Sequence, residues 1–587
     1  KMRAIAEEAS AMVRVYKGAF SGEHGDGLVR SEWVAWQFGP RLTHAFQQIK
    51  DAFDPTGLMN PGKIVRASRM DDTSLFRYPP GYRALPIATA LDWSAWDVNA
   101  DPAADTQTAP GSGGDPAQGF GKAVDMCNNN GHCRKFDAGT MCPSYRVTRD
   151  ETHLTRGRAN TLRLALSGQL GADLASEPVR AALDLCVGCK GCRRECPTGV
   201  DMARMKVEFQ HHWQRRHGLA LRERLFATLP RWAPLASRLA WLFNLRDRLP
   251  GAAWIGERLL GIAAARTLPR WRRDTFLRAA AASKSVQRTG TIADTSTAQS
   301  TQAQAVANAA NTSPPAYVVL LADTFSNYFE PENAHAAMAV LRAAGYTVEV
   351  AHAARGDSSQ ASQRPLCCGR TYLAAGLIDL AKAEARRTLA ALLPHVKRGA
   401  AIVALEPSCL YTLRDEYLVM GLGEDARHVA ERACMIEDFI AAEHRAGRLH
   451  LPLHPLPQKR ALLHGHCHQK AFDAMGAVQQ VLSLVPGLCV ELVESSCCGM
   501  AGSFGYEARH HAISMQMAEL SLLPALRDAR DDTLLVADGT SCRHQIADGL
   551  ALDGQRGSRR HAVHVIRVLQ QALLAGPRGA PAGQPTT

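Results

Sequence analysis

The sequence predicts a multidomain chain of α/β and α parts: a helical iron–sulfur domain followed by two tandem α/β units rich in cysteine. Three observations predict it. The first is the run Cys186-Val-Gly-Cys189-Lys-Gly-Cys192-Arg-Arg-Glu-Cys196-Pro197. Its C-x2-C-x2-C-x3-C-P spacing holds a [4Fe–4S] cluster with three thiolates and lends the fourth to a partner site. The second is an internal repeat over residues 316–570, in which apolar strands alternate with helical stretches. The third is a pair of segments, 99–119 and 285–314, too poor in large apolar residues to build a core. They divide a chain of 587 residues into several domains, as its length alone requires.

The helical iron–sulfur domain is expected over 120–210 and is ferredoxin-like in its cysteine spacing. A first group precedes the run: Cys127-Asn-Asn-Asn130-Gly-His-Cys133, then Cys142-Pro143. Asn130 stands where the middle cysteine belongs. If the two groups exchange their last ligands, Cys186, Cys189 and Cys192 take Cys142, and the other site has Cys127, Cys133 and Cys196. That second site is one thiolate short, and three outcomes stay open: a three-iron cluster, a non-cysteine ligand, or an empty site. Structural zinc also uses C-x2-C pairs. The third close cysteine and the C-P ending favour a cluster in the later group and leave the earlier one undecided.

The repeat defines two α/β units, 315–445 and 455–573. Each opens on an apolar strand, Tyr317–Leu321 and Ala461–Leu463. Each carries Cys-Cys-Gly, at Cys367-Cys368-Gly369 and Cys497-Cys498-Gly499. Each then has a strand followed by Ser-Cys, at Ser408-Cys409 and Ser541-Cys542. The second unit adds Cys467 between His466 and His468, where the first has Phe325 or a near neighbour. Four cysteines, Cys467, Cys497, Cys498 and Cys542, therefore make the second unit a metal candidate and leave the first degenerate.

Composition narrows the function classes. Sixteen cysteines grouped in motifs point to metal binding in a reducing compartment rather than to disulfides. A hydrophobic share of 46% is that of a globular chain, and no stretch has the apolar length of a membrane-spanning helix. The formal charge of +12 invites a nucleic-acid reading, but no recognition motif or aromatic platform supports one; an anionic surface or an acidic substrate accounts for it equally. The basic helical segment 211–284, with Trp213, Trp232, Trp241 and Trp254 within it, reads first as helices packed on the ferredoxin-like core and second as an in-plane membrane anchor. The first residue is Lys1 and the sequence enters directly at helix-like residues, so an N-terminal truncation is expected.

The N-terminal stretch has two glycine-rich motifs, Ser21-Gly-Glu23-His24-Gly-Asp-Gly27 and Asp54-Pro-Thr-Gly-Leu-Met-Asn60-Pro-Gly-Lys63. Taken alone, Glu23 is a metal-ligand candidate and His24 a general base, and a solvent loop explains both as well. Together the two motifs resemble the C-terminal end of the cap domain in FAD-linked oxidases of the vanillyl-alcohol-oxidase type, which include D-lactate, glycolate and D-2-hydroxyglutarate dehydrogenases. Met141-Cys142-Pro143-Ser144-Tyr145 and Thr155-Arg-Gly-Arg-Ala159 extend the resemblance to large fused members, in which oxidase, ferredoxin-like and cysteine-rich CCG domains share one chain. The resemblance covers essentially the whole chain.

It implies that residues 1–66 end the cap domain, that 67–119 are a linker, and that an FAD-binding domain lies upstream. It implies that Glu23 helps bind a divalent metal such as Zn or Mn, or the substrate. His24 takes the hydroxyl proton of a D-2-hydroxy acid, D-2-hydroxyglutarate first and D-lactate next, while FAD accepts the hydride. Arg30 holds a carboxylate, and Asn60 and Lys63 lie by the flavin. It implies electron delivery through [4Fe–4S] to a quinone or an electron-transfer protein, from a cytoplasmic enzyme at or near the inner face of the membrane and oligomeric at full length. Lys190, Arg193 and Arg194 are expected to stabilise the reduced cluster. A non-catalytic iron–sulfur subunit, like those of glycolate or glycerol-3-phosphate dehydrogenase, is the alternative. Thiol chemistry of the heterodisulfide-reductase kind is a third reading, weakened by the degenerate first unit.

Overall fold

Parallel strand pairing builds both α/β units. In the computed structural model, β1 (Tyr317–Leu321), β2 (Thr347–Val350), β3 (Ala401–Ala404) and β4 (Ala433–Met435) form one sheet in the order β2-β1-β3-β4. All three neighbouring pairs are parallel, with Val318 opposite both Val348 and Ala401. A second sheet repeats the pattern as β6-β5-β7, from β5 (Arg460–His464), β6 (Cys489–Leu492) and β7 (Leu534–Ala537). Its β7 edge adds a parallel bridge from Val536 to Val563, where the first sheet has β4. Val319, Leu320, Ile402 and Val403 are fully buried, because helices cover both faces of a parallel sheet. The structure describes residues 2–72, 74, 84–96, 115–136, 139–171, 173–289, 317–353, 364–551 and 560–575.

Those sheets belong to the larger of two units, residues 84–98 and 115–587. The same unit contains the helical cysteine domain: Phe120–Asp125, Pro143–Thr148, Thr155–Leu166, Glu177–Asp184, Gly191–Glu195 and Met202–His217. Its core packs Phe120, Leu154, Leu162, Val179 and Phe209, all at most 1% exposed. The boundary expected at residue 210 falls inside the helix Met202–His217, which runs on to Gly218 because Asp201 caps its start and Gly218, at φ +76°, ends it.

Part of the expected linker 67–119 is not a linker. Leu91 and Trp93 are 2% exposed in the core of the helical domain. The carboxylate of Glu208, fully buried, accepts from Ala90 N at 2.7 Å, Leu91 N at 3.0 Å and Trp93 Nε1 at 3.0 Å. One buried carboxylate satisfies three donors of a strand-less segment, which is what holds that segment in. Residues 73, 75–83 and 97–114 of the segment, and 290–314 of the tether expected at 285–314, lie outside the described residues; the helix Phe276–Thr289 enters the latter.

The basic segment is divided between neighbours: Trp213 lies against the core of the helical domain, and Phe226 and Leu268 against the core that holds Cys189. Its helices Leu221–Ala227, Leu229–Arg238 and Ala240–Phe243 bury small residues, Ala227, Ala233, Ala236 and Ala240. The second and third of these pack with Trp271 against Tyr328 and Phe329 of the first α/β unit. The helix Ala252–Leu260 buries none of its residues, and Trp254 and Leu259 are 61% and 77% exposed.

The smaller unit covers residues 1–83 and 99–114. Residues 1–66, read as the end of a compact α/β or α+β domain, form helices among the described residues, chiefly Met2–Val15 and Val34–Phe53. The second of these is kinked at Gly39, φ +74°, before Pro40, which cannot donate to the helical ladder. Met2, Ile5, Met12, Val15, Leu58 and Met59 are exposed.

Candidate functional site

Both cysteine-rich regions of the larger unit gather their thiols at loop ends. In the helical domain Cys142, Cys186, Cys189 and Cys192 are each at most 9% exposed. Cys142 lies beside Cys186, Cys192 beside both, and Cys189 beside Cys192 and Cys142, so the four face one another. The loop geometry is set by backbone rather than side chains. Gly188 and Lys190 lie at φ +60° and +59°, and a Cβ on Gly191 would come within 2.9 Å of Thr140 Cβ. Met202 N donates to Cys192 Sγ at 3.4 Å, and Thr155 Oγ1 lies 3.0 Å from Cys142 Sγ.

Burial pushes the Cys142, Cys189 and Cys192 thiols up, and neighbouring anionic groups push Cys189 and Cys192 further. As thiolates such a set needs a cationic partner, and a cluster with N–H···S donors already in place fits these residues.

The earlier cysteines converge on the same point only in part. Burial raises Cys133 to about 11, and Cys142 and Cys127 are the thiols beside it. Asn130 is exposed and serves the turn, its Oδ1 accepting from His132 N at 2.8 Å. Cys196 is half-buried with its Sγ 3.3 Å from Thr198 Oγ1.

The cations expected to act on the cluster are committed elsewhere. Lys190, 2% exposed, pairs with Asp415 and, at 2.7 Å, with Glu416; Arg193 also pairs with Asp415. Arg194 binds Lys470 O at 2.7 Å and Asp473. These three tie the loop to the two α/β units, and their charge is neutralised there. The sequence spacing did not reveal the cations that remain. Lys206 Nζ donates to Cys186 O at 2.6 Å, and Arg158 donates to Ala182 O at 2.9 Å and Ser144 Oγ at 2.8 Å. Neither pairs with a carboxylate among the described residues, and burial lowers the Lys206 pKa.

In the second α/β unit Cys467, Cys497, Cys498 and Cys542 are all buried beyond the carboxyl ends of β5, β6 and β7, where parallel sheets place their sites. Hydrogen bonds run along the thiols and split them: Cys467 is pulled down to about 6 and Cys498 also falls, while Cys497 and Cys542 rise. Gly499 N donates to Cys497 Sγ at 3.4 Å. A Cβ on Gly499, at φ +88°, would lie 2.2 Å from Ser514 O, so the third residue of Cys-Cys-Gly has to be glycine. The first unit repeats the device, Gly369 N to Cys367 Sγ at 3.4 Å, with Cys409 beside Cys368.

The two thiol groups are neighbours. Cys189 packs in one core with Cys467, Cys497, Cys498 and Cys542, and among the charges acting on it Cys467 is the strongest. His468 Nε2 lies 3.2 Å from Gly188 O, and Ser496 Oγ donates to Thr140 O at 2.7 Å.

The N-terminal candidates are open to solvent. Glu23 and His24 pair with each other at 3.1 Å with side chains 86% and 93% exposed. Arg30 folds over the same loop: a Cβ on Gly22 would sit 1.9 Å from its Nη1. Asn60, at φ +45°, and Lys63 are exposed on a turn organised by Asp54, which accepts from Leu58 N and Met59 N, both at 2.9 Å. Among the described residues no metal-ligand set forms at Glu23. The compact sets are His464–Cys498–Cys542 and Glu437–Asp538–His564.

Two parts of the chain match known families, one of flavin-linked oxidases and one of iron–sulfur domains. Residues 1–64 match the C-terminal domain of FAD linked oxidases, and residues 123–200 match the 4Fe-4S dicluster domain. Among the relatives matched along most of the chain are D-2-hydroxyglutarate dehydrogenases. The Escherichia coli (strain K12) protein is 24% identical over 93% of this chain and 51% of its own length. The Pseudomonas putida protein is 26% identical over 97% of this chain and 53% of its own. One subunit of the anaerobic glycerol-3-phosphate dehydrogenase of Escherichia coli (strain K12) is 27% identical over 42% of this chain and 57% of its own length. The chain spans about half the length of the D-2-hydroxyglutarate dehydrogenases it matches along most of its length. Among the described residues no helix is long and apolar enough to cross a membrane.

Proposed function

We propose that this chain serves an FAD- and iron–sulfur-dependent dehydrogenase that oxidises a D-2-hydroxy acid, D-2-hydroxyglutarate in the first place, to the 2-oxo acid. The observation that carries the reading is the buried quartet Cys142, Cys186, Cys189 and Cys192 in a chain whose first 64 residues match an FAD-linked oxidase. FAD would supply two-electron oxidation and [4Fe–4S] the one-electron steps that follow. The chain's own residues would divide the rest. His24 accepts the substrate's hydroxyl proton, Arg30 holds a carboxylate by its guanidinium fork, and Glu23 orients His24 from 3.1 Å. Asn60 and Lys63 support the flavin side.

The adjacency of Cys189 and Cys467 favours the second α/β unit as the next electron station, with Cys467, Cys497, Cys498 and Cys542 as ligands. A separate electron-transfer subunit is the second reading, favoured by the similarity to the glycerol-3-phosphate dehydrogenase subunit.

The test uses the full-length polypeptide reconstituted with FAD under anaerobic conditions. D-2-hydroxyglutarate, added without a chemical reductant, is expected to bleach the iron–sulfur absorption and produce an EPR signal, and D-lactate to do so more slowly. Reduction by dithionite but by neither acid would reject the dehydrogenase and leave the subunit reading.

Acceptor docking at an anionic membrane surface, on the cytoplasmic side, is supported by the outward face of residues 235–259. Leu235, Trp241, Trp254 and Leu259 are each more than half exposed, with Arg248 and Arg258 among them. Co-sedimentation with vesicles containing phosphatidylserine is expected to fall at least about fivefold in Trp254→Ala/Leu259→Ser, since interfacial binding scales with buried apolar area. Equal sedimentation of both proteins would remove the membrane from the scheme.

A further inference from the structure

We infer that His464 is a ligand of the second α/β unit's metal centre, which then has a mixed nitrogen and sulfur shell. The inference rests on the reading of that unit as a metal site, and it adds a donor that the cysteine pattern does not contain.

His464 is the last residue of β5 and is 1% exposed. One of its ring nitrogens, Cys498 Sγ and Cys542 Sγ lie within 4.8 Å of one another. The hydrogen bonds around the ring decide which nitrogen is free. Nδ1 lies 2.8 Å from Ser495 Oγ. Lys470 Nζ, which can only donate, lies 3.2 Å from the same oxygen, and Ser495 Oγ itself donates to Val493 O at 3.4 Å. With the hydroxyl proton spent on Val493 O, Ser495 Oγ accepts from Nδ1–H. The proton therefore sits on Nδ1, and Nε2 presents a lone pair.

That Nε2 is buried with no oxygen or nitrogen partner, and the Cys498 thiol is the group the ring meets. A buried imidazole held by Nδ1–H with its other nitrogen turned to thiols is the arrangement of a metal-ligating histidine, whose outer hydrogen bond fixes tautomer and ring plane. A thiophilic cation, iron in a sulfide cluster or zinc, satisfies Nε2 and the thiols together.

The first unit provides an internal contrast. The residue at the end of β1, in the position of His464, is Leu321. Thr324 begins the following helix where Cys467 begins its counterpart. The unit that lacks the fourth cysteine also lacks the histidine, so the two donors are present or absent together.

The experiment compares anaerobically purified wild type with Cys498→Ser, His464→Ala and His464→Cys, measuring iron, sulfide and zinc per chain and pulsed EPR of the reduced protein. Wild type is expected to hold one centre more than Cys498→Ser. His464→Ala should lose the same increment while the signal of the Cys142/Cys186/Cys189/Cys192 cluster persists. His464→Cys should retain the metal but lose a nitrogen-14 modulation present in wild type; this arm stands even if His464→Ala fails to fold. Full metal content in His464→Ala, or no nitrogen coupling in wild type, overturns the inference. Zinc in place of iron, with one nitrogen in its X-ray absorption shell, upholds His464 as ligand and overturns the relay. No metal beyond the helical domain's complement overturns both.

Discussion

The two α/β units share a scaffold and differ in what they carry. Their sheets have the same order, β2-β1-β3 and β6-β5-β7, and both place Cys-Cys-Gly on an N–H···S turn. The second unit lines its strand ends with Cys467 and His464; the first has Thr324 and Leu321 there. Gly539, before the Ser541-Cys542 helix, leaves room for His466, since a Cβ on it would sit 2.4 Å from the His466 ring. Its counterpart Glu406 instead fills the space and reaches across, accepting from Thr540 N of the second unit at 2.9 Å. The scaffold therefore does not need the site. Buried apolar strands hold the fold, and the strand ends are free to become either a thiol pocket or a joint between the units.

The largest test of this contrast is a matched pair of substitutions. On the proposed relay, Cys498→Ser would remove the second unit's metal and cut electron delivery to the acceptor, because a station of the path would be lost. Cys368→Ser should leave metal content unchanged and cost about 1 kcal/mol in denaturant titration, the effect of a polar swap in a packed core. Equal loss of metal in both would erase the distinction between the units.

The joint is tested next. Glu330 of the first unit binds Arg543 of the second, with Oε1 3.0 Å from Nε. Burial works against the Glu330 charge, but Arg543 overrides it and holds the carboxyl at about 2, below its ordinary 4.5. A carboxyl lowered on folding stabilises above its unfolded pKa and loses that contribution as the pH falls through its folded one. About 3 kcal/mol should therefore be present above pH ~4.5 and disappear towards pH ~2. Glu330→Gln should lose roughly 3–5 kcal/mol at neutral pH, because Arg543 is left buried without its partner, and should flatten that slope. An unchanged slope in urea unfolding across this range would break the joint.

The smallest effect has the opposite sign. Asp323 is raised to about 6, by burial first and by Glu406 second. Its folded pKa lies above the unfolded 3.8, so the stability it brings is complete below that value and is lost as pH rises through ~6. Asp323→Asn keeps acceptors for Phe325 N and Ser326 N and should be relatively more stable by about 2 kcal/mol at pH ~7 than at pH ~4. A Tm difference between variant and wild type that stays constant across that range would contradict it.

What was legible in the sequence follows the range of the interactions. Cys186, Cys189 and Cys192 announce themselves because one short loop must aim three thiols at one point. The repeated strand, Cys-Cys-Gly and Ser-Cys order is legible because parallel sheets put sites just past strand ends. Glu208 was invisible: its partners Ala90, Leu91 and Trp93 are over a hundred residues away, in what reads as linker. The charges at the cluster were misassigned for the same reason. Lys190 and Arg193 look free in sequence, yet their partner Asp415 arrives from the first α/β unit, while Lys206 and Arg158 look like ordinary helix residues. His464 ends an apolar strand and has no spacing signature at all.

The burial of Cys189 in the second unit's core has a mechanical consequence. With Lys190, Arg193 and Arg194 pinning the same loop to both units, the helical domain cannot swing out on a tether to meet its redox partner. On the proposed path, electrons leaving a cluster there would cross a gap of fixed length, so turnover through it would be indifferent to solvent viscosity, whereas a shuttling carrier would slow in proportion.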